Sequence, residues 1–470
     1  MSGDRAVLQG TDELNRDTAR RIARLVDAAG GRVFYVGGFV RDKLLGIDNK
    51  DVDIEVHGVE PAALQTILRE VGTLLSYGES FGIYSLAGVG IDIAMPRRER
   101  KTGTGHRDFE VDVDPFIGTY EAARRRDFTI NALMEDVLTG EIVDHFGGRD
   151  DLAAGVIRHI DDVTFAEDPL RVLRGAQFAA RFGFTIAPET VSLCRTMDLS
   201  DLSKERIEEE LQKALLKADR PSIFFEMMRE MGQLDVWFPE LEQLIGLEQD
   251  PLFHPEGDVW THTMEVIDRA AQVRDKCSDP YAFMLLALTH DLGKIVTTEE
   301  IKGRIHSYEH EIKGLPLVES FVRRITGEKA VIDYVLNMVP LHMRPNVLAY
   351  SKPAVKSTNR MFDAAVCPED LIYFAMADRP VISGTDQFTG DSDFLFERLD
   401  VYKEMMERPH VRGRDLIEAG LEPGEYFGEL LDYAHKLRLA GIDRDAALKQ
   451  VLAYARRNNR KQKRNPDQVK

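Results

Sequence analysis

The chain has 470 residues, 43% of them hydrophobic and 30% charged, and a formal net charge of −19. That length exceeds what one hydrophobic core supports, so several domains are expected, with the composition of an ordinary globular protein. The acidic balance excludes indiscriminate binding to nucleic-acid backbone, though a local basic surface can still act within an acidic whole. No apolar run approaches the roughly 18 residues that span a bilayer, which predicts no membrane partner. Met1-Ser2-Gly3-Asp4 lacks the regions of a secretory signal, and a cytoplasmic location is expected. Cys194, Cys277 and Cys367 show no metal-ligand or disulfide spacing and are expected to be buried packing residues.

In chain order, Asp17 to Ala29 carries helical spacing, with Ile22, Ala23, Leu25 and Val26 on one stripe and Gly30-Gly31 ending it. A strand follows over Arg32 to Val36, then Gly37-Gly38 and a helix from Phe39 to Leu45. Asp51 to Val56 alternates acidic and apolar residues and reads as a strand. Pro61 opens another helix, and Ile83 to Met95 reads as a hairpin turning at Gly88-Val89-Gly90. Thr129 to Met134 and Glu141 to Val143 suggest a further strand pair around Thr139-Gly140. From about Asp161 helical segments follow one another, with strand signals nearly gone. The fold class expected is α+β: a head with a small mixed sheet and helices, followed by an all-helical neck and body. Gln249-Asp250-Pro251 to Asp258, rich in Pro, acid and His, marks a domain boundary. The basic stretch Arg456 to Arg464 reads either as an RNA-facing surface or as a frayed, solvated tail.

Asp51-Val52-Asp53 carries the chemistry. Residues two apart on a strand share a face, so both carboxylates project together while Val52, Ile54 and Val56 bury the other side. Carboxylates that close repel unless a cation neutralises them, and hard oxygen ligands suit Mg²⁺. Asp92, between Ile91 and Ile93, is placed to add a third ligand. Such a set can hold two metal ions for phosphoryl transfer. Asp-x-Asp alone is a weak signal, since an exposed strand face explains most such pairs. The preceding Val36-Gly37-Gly38-Phe39-Val40-Arg41-Asp42 puts bare backbone N–H groups at a helix start, where a triphosphate can approach, and Arg41 adds positive charge. The alternative is a tight strand-to-helix turn with Arg41 paired to Asp42.

These two segments together resemble the class II tRNA nucleotidyltransferase and bacterial poly(A) polymerase family, within the polymerase β-like superfamily. Three further motifs follow in the family's order. Arg125-Arg126-Asp127-Phe128-Thr129-Ile130-Asn131 looks like its ribose-recognising segment, so the resemblance implies nucleotide binding by Arg126, Asp127 and Asn131. Glu167-Asp168-Pro169-Leu170-Arg171, continuing to Arg174, is similar to its base-selecting helix, and Glu205-Arg206-Ile207-Glu208-Glu209-Glu210-Leu211 to its neck-stabilising motif. The resemblance implies that Arg174 reaches the phosphates; Gln177 departs from an arginine often found in relatives. Arg97 to Val111 looks like the family's flexible loop associated with the switch from C to A addition, or is a surface loop without a role.

Selection of the base by Asp168 and Arg171 is physically sound. They lie three residues apart at a helix start and can meet one planar ligand together. Ionised Asp only accepts hydrogen bonds and Arg only donates them. Cytosine and adenine each offer an amino donor beside a ring acceptor, whereas uracil and guanine present the swapped order. Unpaired groups cost about 1–3 kcal/mol each, enough to reject UTP and GTP. A plain helix cap at Asp168 is the alternative.

In the body, Trp260-Thr261-His262-Thr263 precedes a helix and Leu288-Thr289-His290-Asp291-Leu292-Gly293-Lys294 ends one. Adjacent His and Asp on a buried helix end make a sound metal-binding pair. With Asp378 downstream the pattern resembles the HD phosphohydrolase superfamily, which implies His262, His290, Asp291 and Asp378 as metal ligands, with His310 and His342 less firmly placed. A divalent metal such as Ni²⁺ or Mn²⁺ would serve a phosphatase or 2′,3′-cyclic phosphodiesterase there; a degenerate, tRNA-binding body is the alternative.

The expected organisation is a nucleotidyltransferase head at 1–155, a helical neck and RNA-binding body at 156–248, an HD domain at 249–400 and a helical tail at 401–470. The expected activity is addition of CMP, CMP and AMP from CTP and ATP to the tRNA 3′ end by two-metal transfer with Mg²⁺, catalysed at Asp51, Asp53 and Asp92, with an accessory hydrolase. Nucleotide binding is expected at Gly37, Gly38, Arg41, Arg126, Asp127, Asn131, Asp168, Arg171 and Arg174. A poly(A) polymerase is the nearest rival, but its basic, glycine-led signature is absent from Tyr77 to Leu86. An HD phosphohydrolase with a nucleotide-binding head, or a regulatory protein-modifying nucleotidyltransferase, are further readings.

Overall fold

Period-two burial along short strands and wider apolar stripes along helices divide the chain in two. The computed structural model describes residues 3–49, 51–75, 82–101, 109–379, 391–408 and 410–464, in two units, Met1–Trp237 and Phe238–Lys470.

The first unit is built on β1 (Arg32–Val36), β2 (Val52–His57), β3 (Leu74–Leu75), β4 (Ile83–Leu86), β5 (Ile91–Ala94), β6 (Arg97–Lys101), β7 (Phe109–Val113), β8 (Met134–Asp136) and β9 (Ile142–Val143). Seven of these form a mixed sheet in the order β3-β4-β5-β2-β1-β8-β9, and β6 and β7 form a separate antiparallel ribbon. The pairing that matters for function is β2 with β5, which is parallel and sets Asp53 opposite Asp92. Val52, Ile54, Val56, Ile91 and Ile93 are buried, and the first helix (Gly3–Ala28) buries Ala19, Ile22, Ala23 and Val26. The hairpin of β4 and β5 forms as expected.

Several local expectations need correction. The first helix starts well before Asp17. Asp51 lies just ahead of β2, and its backbone N–H is held by Asn49 Oδ1 at 3.0 Å. Thr129–Asn131 is a 3-10 turn, with the strand starting only at Met134. Side-chain bonding explains the turn: Thr129 Oγ1 donates to Asp151 at 2.7 Å and Asn131 Nδ2 to Asp127 at 2.9 Å, offering the backbone an alternative to a ladder. The charged link from Arg97 to Val111 is the β6–β7 ribbon at its two ends, while 102–108 lie outside the described residues, as do 76–81 of the segment searched for the polymerase signature. Two small pairings were not foreseen: β10 (Val156–Ile157) with β11 (Thr185–Ile186), and the hairpin of β12 (Thr298–Ile301) with β13 (Arg304–Ser307). The hairpin turns on Lys302 (φ 53°) and Gly303 (φ 76°), the two positive φ values that a tight two-residue turn requires.

After the sheet, the first unit continues with helices Leu170–Phe182, Lys204–Lys217 and Ser222–Glu230, which bury Leu173, Ala176, Leu211, Phe224 and Phe225. The second unit surrounds Pro280–Thr289, in which every residue from Tyr281 to Thr289 is buried; its uniform apolarity marks a central helix. The basic stretch from Arg456 continues the final helix, Arg444–Arg464. Cys194 and Cys277 are buried, whereas Cys367 is only partly so. Among the described residues no helix is long and apolar enough to cross a membrane.

Candidate nucleotidyltransferase and metal sites

Asp53 and Asp92 sit side by side on β2 and β5, Asp53 half-buried and Asp92 exposed, with Asp51 exposed at the strand entrance. Burial, and then the neighbouring Asp92, push the Asp53 carboxyl up to about 6, with Asp51 adding to the rise and Arg126 opposing it. A donor set of this kind is electrically unbalanced by itself and fits a hard divalent cation. Gly37 closes the end of β1 at φ 64°, and a Cβ there would meet Arg126 Nη1 at 3.2 Å and Asp53 Oδ2 at 3.9 Å. Only glycine satisfies both the backbone angle and the close approach. The helix Gly38–Leu45 then starts directly beside the carboxylates.

A cavity of about 630 Å³ adjoins them. Glu55 and Ala94, each two residues along its strand from Asp53 and Asp92, lie in its wall with Met95, Pro96, Arg97, Arg125 and Arg126. The opposing wall carries Glu167, Asp168, Arg171 and Arg206. Asp168 stands one residue before the helix cap, Pro169, and accepts from the Leu170 N–H at 3.1 Å and from Arg206 Nη2 at 2.9 Å. Arg171 donates to the Thr164 carbonyl at 2.6 Å and the Arg125 carbonyl at 2.9 Å. Both side chains are thus fixed in the cavity wall, Asp168 by the Arg206 cation and Arg171 by two neutral carbonyls. Burial lowers the Arg171 pKa, against Asp127 and Asp168.

Other expected site residues form a strut behind this wall, buried at Arg41, Asp127 and Asn131 and partly exposed at Arg174. Arg41 is 4% exposed, pairs with Asp42 Oδ1 at 2.6 Å, donates to Asn131 Oδ1 at 2.7 Å, and packs on Phe178 and Phe182. Pairing with Asp42, the alternative considered above, is what forms. Asn131 continues to Asp127, and Asp127 accepts from Arg174 at 2.7 Å. Burial opposes ionisation of Asp127, but Arg174 and Asn131 hold its pKa below the usual range. Arg41, Asp127, Asn131 and Arg174 are not among the cavity-lining residues. Gln177 is buried, and its Nε2 has no hydrogen-bond partner among the described residues. Glu55 and Arg206 were not singled out as site residues from the sequence; Glu55 was legible as the next same-face residue after Asp53.

In the second unit four histidines converge. His290 Nδ1 faces the Ala287 carbonyl at 2.9 Å, His310 Nδ1 that of Ser307 at 2.9 Å, and His342 Nδ1 that of Val339 at 2.7 Å. His262 Nδ1 faces Glu256 Oε1 at 2.7 Å. With every Nδ1 facing a carbonyl or carboxylate oxygen, every Nε2 turns inward. His262 Nε2 lies 3.1 Å from Asp378 Oδ1, His290 Nε2 3.2 Å from Asp291 Oδ2, and His310 Nε2 3.1 Å from Asp291 Oδ1. His310 and His342 point their Nε2 atoms at each other across 3.2 Å. Burial opposes charge on His290, yet Asp291 and Asp378 push its pKa up to about 10; burial, then His290 and His310, push His342 down to about 3. Inward-facing imidazoles around two carboxylates suit a transition metal. His254, Glu256 and Lys294 complete the surroundings: Lys294 Nζ is 2.7 Å from Asp291 and Glu256 also takes His254 Nδ1 at 2.9 Å. A cavity of about 640 Å³ opens onto the cluster. The segment read as a domain boundary, Gln249 to Asp258, therefore contributes to it through His254 and Glu256.

The sheet, its in-register carboxylates and the Asp–Arg wall define a nucleotidyltransferase with a polymerase-type head. Residues 33–158 match the poly(A) polymerase head domain and residues 183–245 the probable RNA and SrmB-binding site of polymerase A. The multifunctional CCA protein of Actinobacillus pleuropneumoniae serotype 5b is 39% identical over 329 residues, spanning 68% of this chain and 78% of that protein. That of Thioalkalivibrio sulfidiphilus is 35% identical over 410 residues, spanning 85% and 96%. This chain belongs to the family of multifunctional CCA proteins. The fold is also that of the Thermotoga maritima CCA-adding enzyme complexed with tRNA, at 22% identity and a TM-score of 0.62 over 94% of this chain and 95% of the other. The Bacillus stearothermophilus CCA-adding enzyme in complex with CTP is similar at 20% identity and a TM-score of 0.62, over 94% and 97%. Membership of a nucleotidyltransferase family implies a divalent metal ion.

Proposed function

We propose that the chain completes the 3′ end of transfer RNA, adding CMP, CMP and AMP in turn from CTP and ATP with release of pyrophosphate. The observation that carries this reading is the cavity whose floor continues from the Asp53–Asp92 pair and whose far wall holds Asp168 and Arg171. Mg²⁺ held by Asp51, Asp53 and Asp92 would supply charge neutralisation at the reacting phosphate and activation of the terminal hydroxyl. The chain's own residues do the rest. Gly37 and Gly38 let the backbone approach the triphosphate, and Arg126 stands over that turn. Asp168 accepts the exocyclic amino group of cytosine or adenine while Arg171 donates to the adjacent ring acceptor, so uracil and guanine leave like groups facing. The strut from Arg41 through Asn131 and Asp127 to Arg174 holds the β1 turn, the 3-10 turn and the base-selecting helix in one arrangement. The test is extension of tRNA lacking its 3′ end with single labelled nucleotides: two C and one A in order support the reading, a long A tract points to a polymerase, and no extension refutes both.

We further infer that residues 249–400 form an HD-type, metal-dependent phosphatase or 2′,3′-cyclic phosphodiesterase. The inward Nε2 atoms of His262 and His290 beside Asp291 and Asp378 support it, with Ni²⁺ or Mn²⁺ as fitting ions. A phosphodiesterase assay with either metal decides it: turnover lost in His290→Ala supports it, and no turnover in the wild type removes it.

A further inference from the structure

Strand β2 continues past Asp53 with a further acidic residue on the same face, Glu55. Its residue exposure is 8%, yet it borders the nucleotide cavity. A buried carboxylate in such a place is costly unless its oxygens are paired. Both are. Oε1 meets His57 Nε2 at 2.8 Å, and Oε2 accepts from Arg126 Nη2 at 3.2 Å. Both Glu55 oxygens are thus engaged by neighbouring side chains, and its role differs from that of Asp53. Arg126 offers the complementary observation. One edge of its guanidinium is tied to Glu55, while Nη1 stands 3.2 Å from where a Gly37 side chain would begin. Its Nε is buried, with no hydrogen-bond partner among the described residues. Arg126 lines the cavity, and a guanidinium there, anchored from behind by a carboxylate, is set to meet an anionic or hydroxyl-bearing ligand.

We propose that Glu55 is a positioning residue for nucleotide binding: anchored by His57, it holds Arg126 across the β1 turn so that the free guanidinium edge meets the sugar–phosphate part of any incoming nucleoside triphosphate. Because Arg126 stands beside Gly37 and Asp53, its contribution is common to CTP and ATP. Asp168 and Arg171 read the base separately. Without Glu55 the guanidinium loses its tether and becomes free to swing onto Asp53, where it competes with metal ions and misplaces the triphosphate.

The test is steady-state extension of tRNA by the full chain carrying Glu55→Gln, which keeps the shape but cannot accept from His57 and Arg126 with two charged oxygens. Loss of one charge-assisted hydrogen bond of this kind predicts a rise in KM of about tenfold for CTP and for ATP alike. The expected kcat stays within about twofold, since no reacting atom is touched, and discrimination against UTP is unchanged. In an Arg126→Ala background the same substitution should change KM by less than about twofold, because the tether then has nothing to hold. Glu55→Asp, charged but one methylene short, gives the same readings if the amide variant melts below assay temperature. An unchanged KM in a folded variant, a fall in kcat alone, or a full-sized effect in the Arg126→Ala background each overturns the proposal.

Discussion

Asp53 shows how a single side chain carries cost in order to work. Its carboxyl is pushed up to about 6 by burial and by Asp92, so its contribution to folding is most favourable below about pH 4 and is lost as pH rises through about 6. In protein stripped of divalent ions, Asp53→Asn should gain melting temperature over the wild type between those values and keep the gain above them. Added Mg²⁺ should erase the difference by binding the wild type alone; a difference independent of pH would contradict it. Arg206 makes a second case. It touches Asp168 with both partners partly exposed, so Arg206→Ala should leave stability within about 0.5 kcal/mol. Discrimination of CTP over UTP should nevertheless fall about three- to tenfold, measured as the ratio of kcat/KM values, because Asp168 loses the contact that orients it. The residue scale was also where the sequence was most legible. Asp53 and Asp92 could be read from strand period, which follows from local geometry, and Asp168 and Arg171 from the family resemblance, with which the chemistry of their spacing agrees. Arg41 and Arg174 could not: whether a cation faces a ligand or a buried acid depends on partners far along the chain, here Asn131 and Asp127.

Elements were legible where one face is buried and the pattern repeats, as in the Ile22 to Val26 stripe and the alternation of β2. They were not legible where side chains override the backbone pattern, as at Thr129–Asn131, or where a strand pair is only four residues long and rests on its turn, as in β12 and β13. A close approach between elements is invisible in any local pattern. Gly293, after the His290-Asp291 pair, is an instance: a Cβ there would fall 1.9 Å from the His310 carbonyl oxygen. Gly293→Ala should therefore shift the short helix carrying His310 and cost about 1–3 kcal/mol, read by thermal melting. Metal retained after gel filtration should fall with it, and unchanged retention and melting would show that the two segments do not need this contact.

At the scale of the whole chain, two units each carry a cluster of acids that suits a metal, and the two differ in ligand chemistry: oxygen alone in the first, imidazole and carboxylate in the second. The acidic total of −19 says nothing of either, because function rests on local sets of a few residues. Substitution should therefore separate the activities, His290→Ala removing phosphodiesterase turnover while leaving tRNA extension within about twofold. The central claim is that Asp53, in register with Asp92, supports nucleotide addition. Extension of tRNA lacking its 3′ end, with CTP, ATP and Mg²⁺, measures it directly. Asp53→Asn in a folded chain should lower kcat by at least about a hundredfold, whereas addition of C, C and A at the wild-type rate would contradict the account.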